Sequence, residues 1–231
     1  MIMPSQKRSR TKSVHGGKII KRRWISQKTF EIHISRPATF HFEPGLAVKI
    51  IFEGVERYCA PVSAPDDPTM VLHLQHMKKE PLSSKLALCE MEASLQLTGP
   101  FGYFTFRSSS RPAVFIAFGT GIAPFVSMAR SGVKDFILIQ AVSTVADLTY
   151  EELFRKSARK YIPCVSRSAI SHVERGDMFL GKVTDYLTKH LPPGTYDFYL
   201  SGKGEAIRDV VRLIDDHFAG SHVYTEIFCS Y

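Results

Sequence analysis

The rhythm of apolar and polar positions changes once along this chain. From Trp24 to Phe106, apolar residues come in short alternating runs broken by turn-forming residues. In Thr29–Ile34, Phe30, Ile32 and Ile34 share one face, which is strand periodicity. Further runs at Ala47–Phe52, Thr69–Leu74 and Ser94–Leu97 are set off by Pro44-Gly45, Pro65 to Pro68, and Gly99-Pro100. Strands this short and closely spaced predict an antiparallel barrel or sandwich. Beyond the polar linker Ser108–Pro112, the runs Ala113–Phe118 and Phe136–Val142 are continuously apolar, as in parallel strands covered on both sides. Helical patterns over 123–130, 148–157, 182–191 and 206–218 alternate with those strands and with 161–165, 197–200 and 223–228. That alternation specifies a doubly wound parallel sheet. The predicted fold class is α/β plus all-β: a basic flexible arm over 1–16, a β-barrel domain over 17–108, and an α/β domain over 111–231.

Composition narrows the function classes. Of 231 residues, 44% are apolar and 23% charged, so the chain folds into a packed core. The net charge of +8 is concentrated: residues 1–28 hold nine Lys and Arg and no acid, which leaves the rest at −1. A nucleic-acid-binding domain needs basic residues spread over a folded face, and this chain lacks that distribution. Residues 1–23 have no continuous apolar core of a secretory signal, and we read them as a solvated arm. Their basic, acid-free composition fits a transit segment or a patch for an acidic partner equally well. A cytoplasmic protein is expected, with an organellar matrix as the alternative. No apolar stretch is long enough to cross a membrane as a helix. Cys59, Cys89, Cys164 and Cys229 are far apart and form no Cys-x-x-Cys pair, so neither a zinc ribbon nor a clustered iron–sulfur site is expected. His73 and His76 lie three apart on a strand running into a loop, and no metal site is expected there.

The sharpest motif is Gly119-Thr120-Gly121-Ile122-Ala123-Pro124, set between an apolar strand and its helix. Glycines let the backbone turn tightly, while free N–H groups and the helix dipole attract phosphate oxygens. Two readings stand: a dinucleotide pyrophosphate cradle, or an ordinary Gly-rich turn. Position favours the cradle.

From about Gly17 to Tyr231 the chain resembles the ferredoxin–NADP reductase superfamily. The pieces that carry the resemblance come in order: Pro44-Gly45, the stretch Arg57–Ser63, Ser83–Leu86, Gly99–Gly102, the Gly119–Pro124 motif, Asp147–Tyr150, Ser201-Gly202, and Glu226–Phe228. The resemblance implies a six-stranded flavin-binding barrel followed by a nicotinamide-nucleotide domain, with hydride passing between the two cofactors across the crevice. It implies FAD, with FMN as an alternative, and NADP or NAD.

Residue by residue the match is mixed. In the family pattern Arg-x-Tyr-Ser, Arg57 keeps the role of pairing with flavin phosphate. The stacking tyrosine has become Cys59, and the hydroxyl near the flavin N5 has become Ala60. Tyr58 is one position away, and one position along a strand reverses the face. In the family's Gly-x-x-Ser stretch, Ser83 is present, but Glu80 brings a negative charge to where a pyrophosphate would lie. The family's Gly-x-Arg after the second parallel strand is Ala141-Val142-Ser143 here. Ser201 takes the place of the family cysteine beside the nicotinamide, followed by Gly202. Glu226 matches an acidic residue near the reacting rings, or is an ordinary polar strand-end residue. Arg167 resembles the arginine that grips a 2′-phosphate, or is a solvated loop residue; Tyr231 is a candidate aromatic cover on the flavin, or a frayed end.

The resemblance thus implies an FAD-dependent NAD(P)H oxidoreductase, with Glu226 and Ser201 as catalytic candidates. Its electrons would go to a diffusible acceptor: an acidic carrier of ferredoxin or flavodoxin type, free flavin, or a small molecule. Two alternatives stay open, a noncatalytic nucleotide-binding module that has lost flavin and a reductase that treats flavin as a substrate.

Overall fold

In the computed structural model, residues 13–166 and 177–228 are described. The first domain is an antiparallel sheet in the order β4-β3-β6-β1-β2-β5. Its strands are β1 (Val14–Trp24), β2 (Thr29–Ser35), β3 (Ala47–Phe52), β4 (Val55–Cys59), β5 (Thr69–Gln75) and β6 (Ser94–Phe101). The two edges meet just beyond β4: Pro61 bridges Leu72, and the Val62 N–H donates to the Val71 carbonyl at 2.8 Å. That contact closes the sheet into a barrel and removes the exposed edges an open sheet would leave. Helix α1 (Pro81–Leu88) plugs one end through Leu82 and Leu86, both fully buried against Ile32, Val48 and Leu97.

The barrel begins earlier than the charge pattern suggests. Residues 14–23, within the stretch read as a solvated arm, belong to β1, which pairs with both β2 and β6. Basic side chains hid the strand, because its inward positions Gly17 and Ile19 are too few to show alternation. Those charges are used structurally. Arg22 donates to the Cys89 carbonyl at 2.8 Å, and Arg23 donates to Glu31 at 2.9 and 3.1 Å.

The second domain is a six-stranded parallel sheet in the order β10-β9-β8-β7-β11-β12. It comprises β7 (Ala113–Phe118), β8 (Ile137–Val142), β9 (Lys160–Val165), β10 (Phe179–Leu180), β11 (Asp197–Gly202) and β12 (His222–Ile227). Helices α2 (Ala123–Arg130) and α3 (Glu151–Ser157) pack on one face through Phe125 and Phe154, against Phe115 and Phe136. Helices α4 (Val183–His190) and α5 (Gly204–His217) cover the other face, where Val114, Ile116, Phe198 and Leu200 meet Leu187, Val210 and Ile214. The chain moves outward from β7 to one side, then returns to add β11 on the other. The gap between the carboxyl ends of β7 and β11 is therefore a topological switch point, where such sheets take ligands.

The two domains share a core. Ala60, Val62, Val71 and Phe104 of the barrel pack with Ile122, Ala123, Phe125 and Val126 around α2. Two polar ties cross the same seam: Ser127 donates to the Ser63 carbonyl at 2.7 Å, buried, and the partly buried Tyr150 hydroxyl donates to Glu31 at 2.8 Å. The linker is pinned as well, since the Arg107 N–H donates to the Tyr199 hydroxyl at 3.1 Å. These contacts hold the crevice between the domains in one geometry.

Candidate functional site

On the sheet side, Gly119–Ile122 forms one tight turn that carries β7 into α2. The turn lies against the end of β11 so closely that a Cβ at Gly121 would stand 2.1 Å from the Ser201 carbonyl oxygen. Gly202 answers from the other strand, with φ +133° and a Cβ position 2.6 Å from the Phe118 carbonyl. Glycine at both places is a packing requirement, and it brings two strand ends and one helix start to a point. Ile122 is the N-cap of α2 and supplies no capping side chain, while Ala123 and Pro124 are buried in the first turn. Among the described residues, the positive end of α2 is thus left without a side-chain acceptor.

Ser201 stands at the carboxyl end of β11, fully buried, and its hydroxyl has no hydrogen-bond partner among the described residues. A buried hydroxyl left unpaired costs free energy unless something else completes it. Register places Glu226 of β12 directly beside Ser201. Burial lifts the Glu226 carboxyl to about 6. Gly102, just beyond β6, faces it from the barrel, and a Cβ there would lie 3.8 Å from Glu226 Oε2. Gly99 lies within β6 under the Phe101 ring, 3.0 Å from its Cβ position to the ring edge, and so shapes the barrel rim.

On the barrel side, Arg57, Tyr58, Ala60, His73, Thr120 and Phe228 are among the residues around a crevice of about 20 Å³. That is room for about one water molecule, with Phe228 and the half-exposed Tyr58 along its sides. Cys59 packs into the barrel core, and burial pushes its thiol up to about 11, which leaves it protonated and inert. Tyr58 points the other way and meets Phe101 edge-on at 5.1 Å. Ala60 faces the domain seam. The Pro61–Leu72 bridge sets Ala60 across from His73, whose buried Nδ1 has no partner among the described residues. Burial pushes the His73 imidazole down to about 4, so it is neutral at ordinary pH.

Arg57 and Ser83 do come together, through Glu80. The Glu80 carboxylate caps α1, accepting from the Ser83 N–H at 2.6 Å and the Leu82 N–H at 3.2 Å. Arg57 Nη1 lies 3.1 Å from the same carboxylate. Burial opposes the charge, but the Ser83 hydrogen bonds and Arg57 outweigh it and hold the carboxyl below its ordinary value. The Ser83 hydroxyl is engaged internally, accepting from the Met77 N–H at 3.3 Å. Arg167 and Tyr231 lie outside the described residues.

Sequence reasoning missed a polar cluster at the seam. Glu31 on β2 sits opposite His73 on β5. Burial raises the Glu31 carboxyl, yet hydrogen bonds from Tyr150 and Arg23 hold it below its ordinary value. Tyr150 in turn stands edge-on to His73 at 5.2 Å. The available signal was polar residues at outward positions of apolar strands, Glu31 in TFEIHIS and His73 in TMVLHLQ.

No family model matches the chain. It is 30% identical over 154 residues to the anthranilate 1,2-dioxygenase electron transfer component of Acinetobacter baylyi, covering 61% of this chain and 43% of that one. Among solved structures, a ferredoxin NADP+ reductase from Neisseria gonorrhoeae with bound FAD and NADP superposes with a TM-score of 0.79 at 21% identity, covering 93% of this chain and 98% of that one. The Amycolatopsis cytochrome P450 reductase GcoB gives 0.80 at 20% identity, covering 94% and 71%. The chain spans less than half the length of the first curated relatives it matches. It shares the two-domain fold of these solved structures, an antiparallel barrel joined to a parallel α/β sheet. No helix among the described residues is long and apolar enough to cross a membrane.

Proposed function

We propose that the chain is an NAD(P)H-dependent flavin oxidoreductase that delivers electrons to a diffusible acceptor. The observation that carries this reading is the unpaired Ser201 hydroxyl at the switch point, beside a Glu226 carboxyl that faces Gly102 of the barrel. In this reading the Gly119–Pro124 turn and the uncapped start of α2 hold the nicotinamide dinucleotide's phosphates. Ser201 orients the nicotinamide amide by hydrogen bonding. Glu226, half protonated near pH 6, holds or releases a proton at its carboxyl beside the reacting edge.

A flavin, when bound, supplies the two-electron chemistry that accepts a hydride and releases electrons onward. The ring side of the crevice suits it: His73 offers an unpaired nitrogen across from Ala60, where the family hydroxyl is missing. Tyr58 and Phe228 exclude water from the mouth. The phosphate side is different, because Arg57 and the α1 N-terminus already hold Glu80. That observation favours a second form of the same reading, in which flavin exchanges as a substrate. The noncatalytic module would bind NADP(H) but never oxidise it.

For the acceptor, the exposed Lys18 and Lys21 of β1 extend the basic N-terminal stretch, which suits an acidic carrier protein held by salt-sensitive attraction. The test is NADPH and NADH oxidation by purified protein, with and without added FAD, FMN or riboflavin. We expect turnover that depends on added flavin; NADP(H) binding with no oxidation under any of these conditions would leave only the noncatalytic module.

A further inference from the structure

We propose that Glu80 is a built-in competitor for flavin phosphate, so that the protein recognises the flavin ring and gains little from the phosphates. This rests on the flavin reading above and deepens it. Two positive features of the barrel converge, the Arg57 guanidinium in the middle of β4 and the N-terminus of α1. Both are engaged by one carboxylate, which accepts two backbone N–H groups at 2.6 and 3.2 Å and pairs with Arg57 at 3.1 Å.

Glutamate is an unusual N-cap, since Ser, Thr, Asp and Asn reach the same N–H groups with shorter side chains. Here the longer side chain spans from the helix start to Arg57, and it is 9% exposed. An anion is therefore already seated in a site of anion-binding chemistry, with backbone donors and guanidinium arranged as they would be around a phosphate. An incoming phosphate must expel that carboxylate and then sit beside it. The attraction of Arg57 for the ligand is offset by the pair it gives up and by repulsion from Glu80. Riboflavin, which has no phosphate, meets none of this. The physical consequence is low discrimination between riboflavin, FMN and FAD, with rapid flavin exchange.

The test is titration of the full chain with riboflavin, FMN and FAD, read by quenching of flavin fluorescence. Wild type should bind the three within about fivefold of one another. Glu80→Ser retains a good N-cap and should bind FAD and FMN at least tenfold more tightly while riboflavin changes less than twofold. Glu80→Gln, nearly isosteric, should move in the same direction by a smaller factor. The inference is overturned if both variants keep the wild-type ratio of FAD to riboflavin affinity, or if wild type already prefers FAD a hundredfold. If no flavin binds to wild type or to either variant while NADP(H) still does, the flavin reading itself fails and the inference with it.

Discussion

Two eight-residue helices, α1 of the barrel domain and α2 of the sheet domain, treat their N-termini in opposite ways. At α2 the cap residue is Ile122, and no side chain accepts from the first turn. At α1 the cap is Glu80, whose carboxylate takes two N–H groups and a guanidinium. The α2 start carries no side-chain cap, whereas the α1 start is capped within the chain. Their difference teaches that a shared fold does not make two helix starts alike: one is left uncapped, and the other is closed by a carboxylate and a guanidinium.

The comparison breaks most sharply at Gly121. Gly121→Ala drives a methyl into the Ser201 carbonyl, which is backbone and cannot turn away. We expect a loss of about 4 kcal/mol, read by urea denaturation, because overpacking against backbone has no rotamer escape. An unchanged midpoint would mean that the turn is looser than the open-cradle description requires.

The next effect lies on the barrel side. Because burial lowers the His73 value from its ordinary 6.5 to about 4, the unfolded chain binds the extra proton between those values and the folded chain does not. Stability therefore falls as pH drops from 6.5 toward 4, by about 3 kcal/mol in total. His73→Phe should flatten that part of the curve. A wild-type curve as flat as the variant's would show His73 to be solvated.

Arg57→Ala should cost about 1–2 kcal/mol, since it leaves a mostly buried Glu80 carboxylate without its counter-charge, held only by Ser83 and Leu82. Thermal denaturation reads it. An Arg57→Ala, Glu80→Ser double variant should recover most of that loss, because the two groups stabilise each other. Strict additivity would show that they are independent.

The smallest stability effect is expected at Glu226. Its raised value means that folding favours the protonated form, so the associated stability is present below pH 4.5 and lost as pH rises through about 6. Glu226→Gln should remove that dependence while slowing nicotinamide oxidation by about tenfold. An unaltered rate would remove Glu226 from the catalytic candidates and leave Ser201 alone on the sheet side.

Legibility in the sequence followed the strength of periodicity. The runs Ala113–Phe118 and Phe136–Val142 announced buried parallel strands because both faces are covered, and the structure gives β7 over the same residues. The glycines of the Gly119–Pro124 turn were visible, as was their strand-to-helix setting, although their contact with Ser201 was not. β1 escaped because a strand whose outer face carries Lys and Arg resembles a solvated tail until its partners are known. β4, five residues long, and α1 escaped because each is too short to show a period. His73 drew notice only as half of an unlikely metal pair, while its neighbours Ala60, Glu31 and Tyr150 are distant in the chain and adjacent only across the barrel and the seam.

What the chain order alone determined was the division into barrel and wound sheet, the place of the Gly-rich turn, and the suspicion that Glu80 conflicts with a flavin phosphate. Only the tertiary structure decided how that conflict resolves. Twenty-three positions separate Arg57 from Glu80 in the chain, and they meet because α1 folds back onto β4. Local pattern encodes which face of a segment seeks the core. It carries no information about which distant charge will stand beside which, because that depends on how whole elements pack.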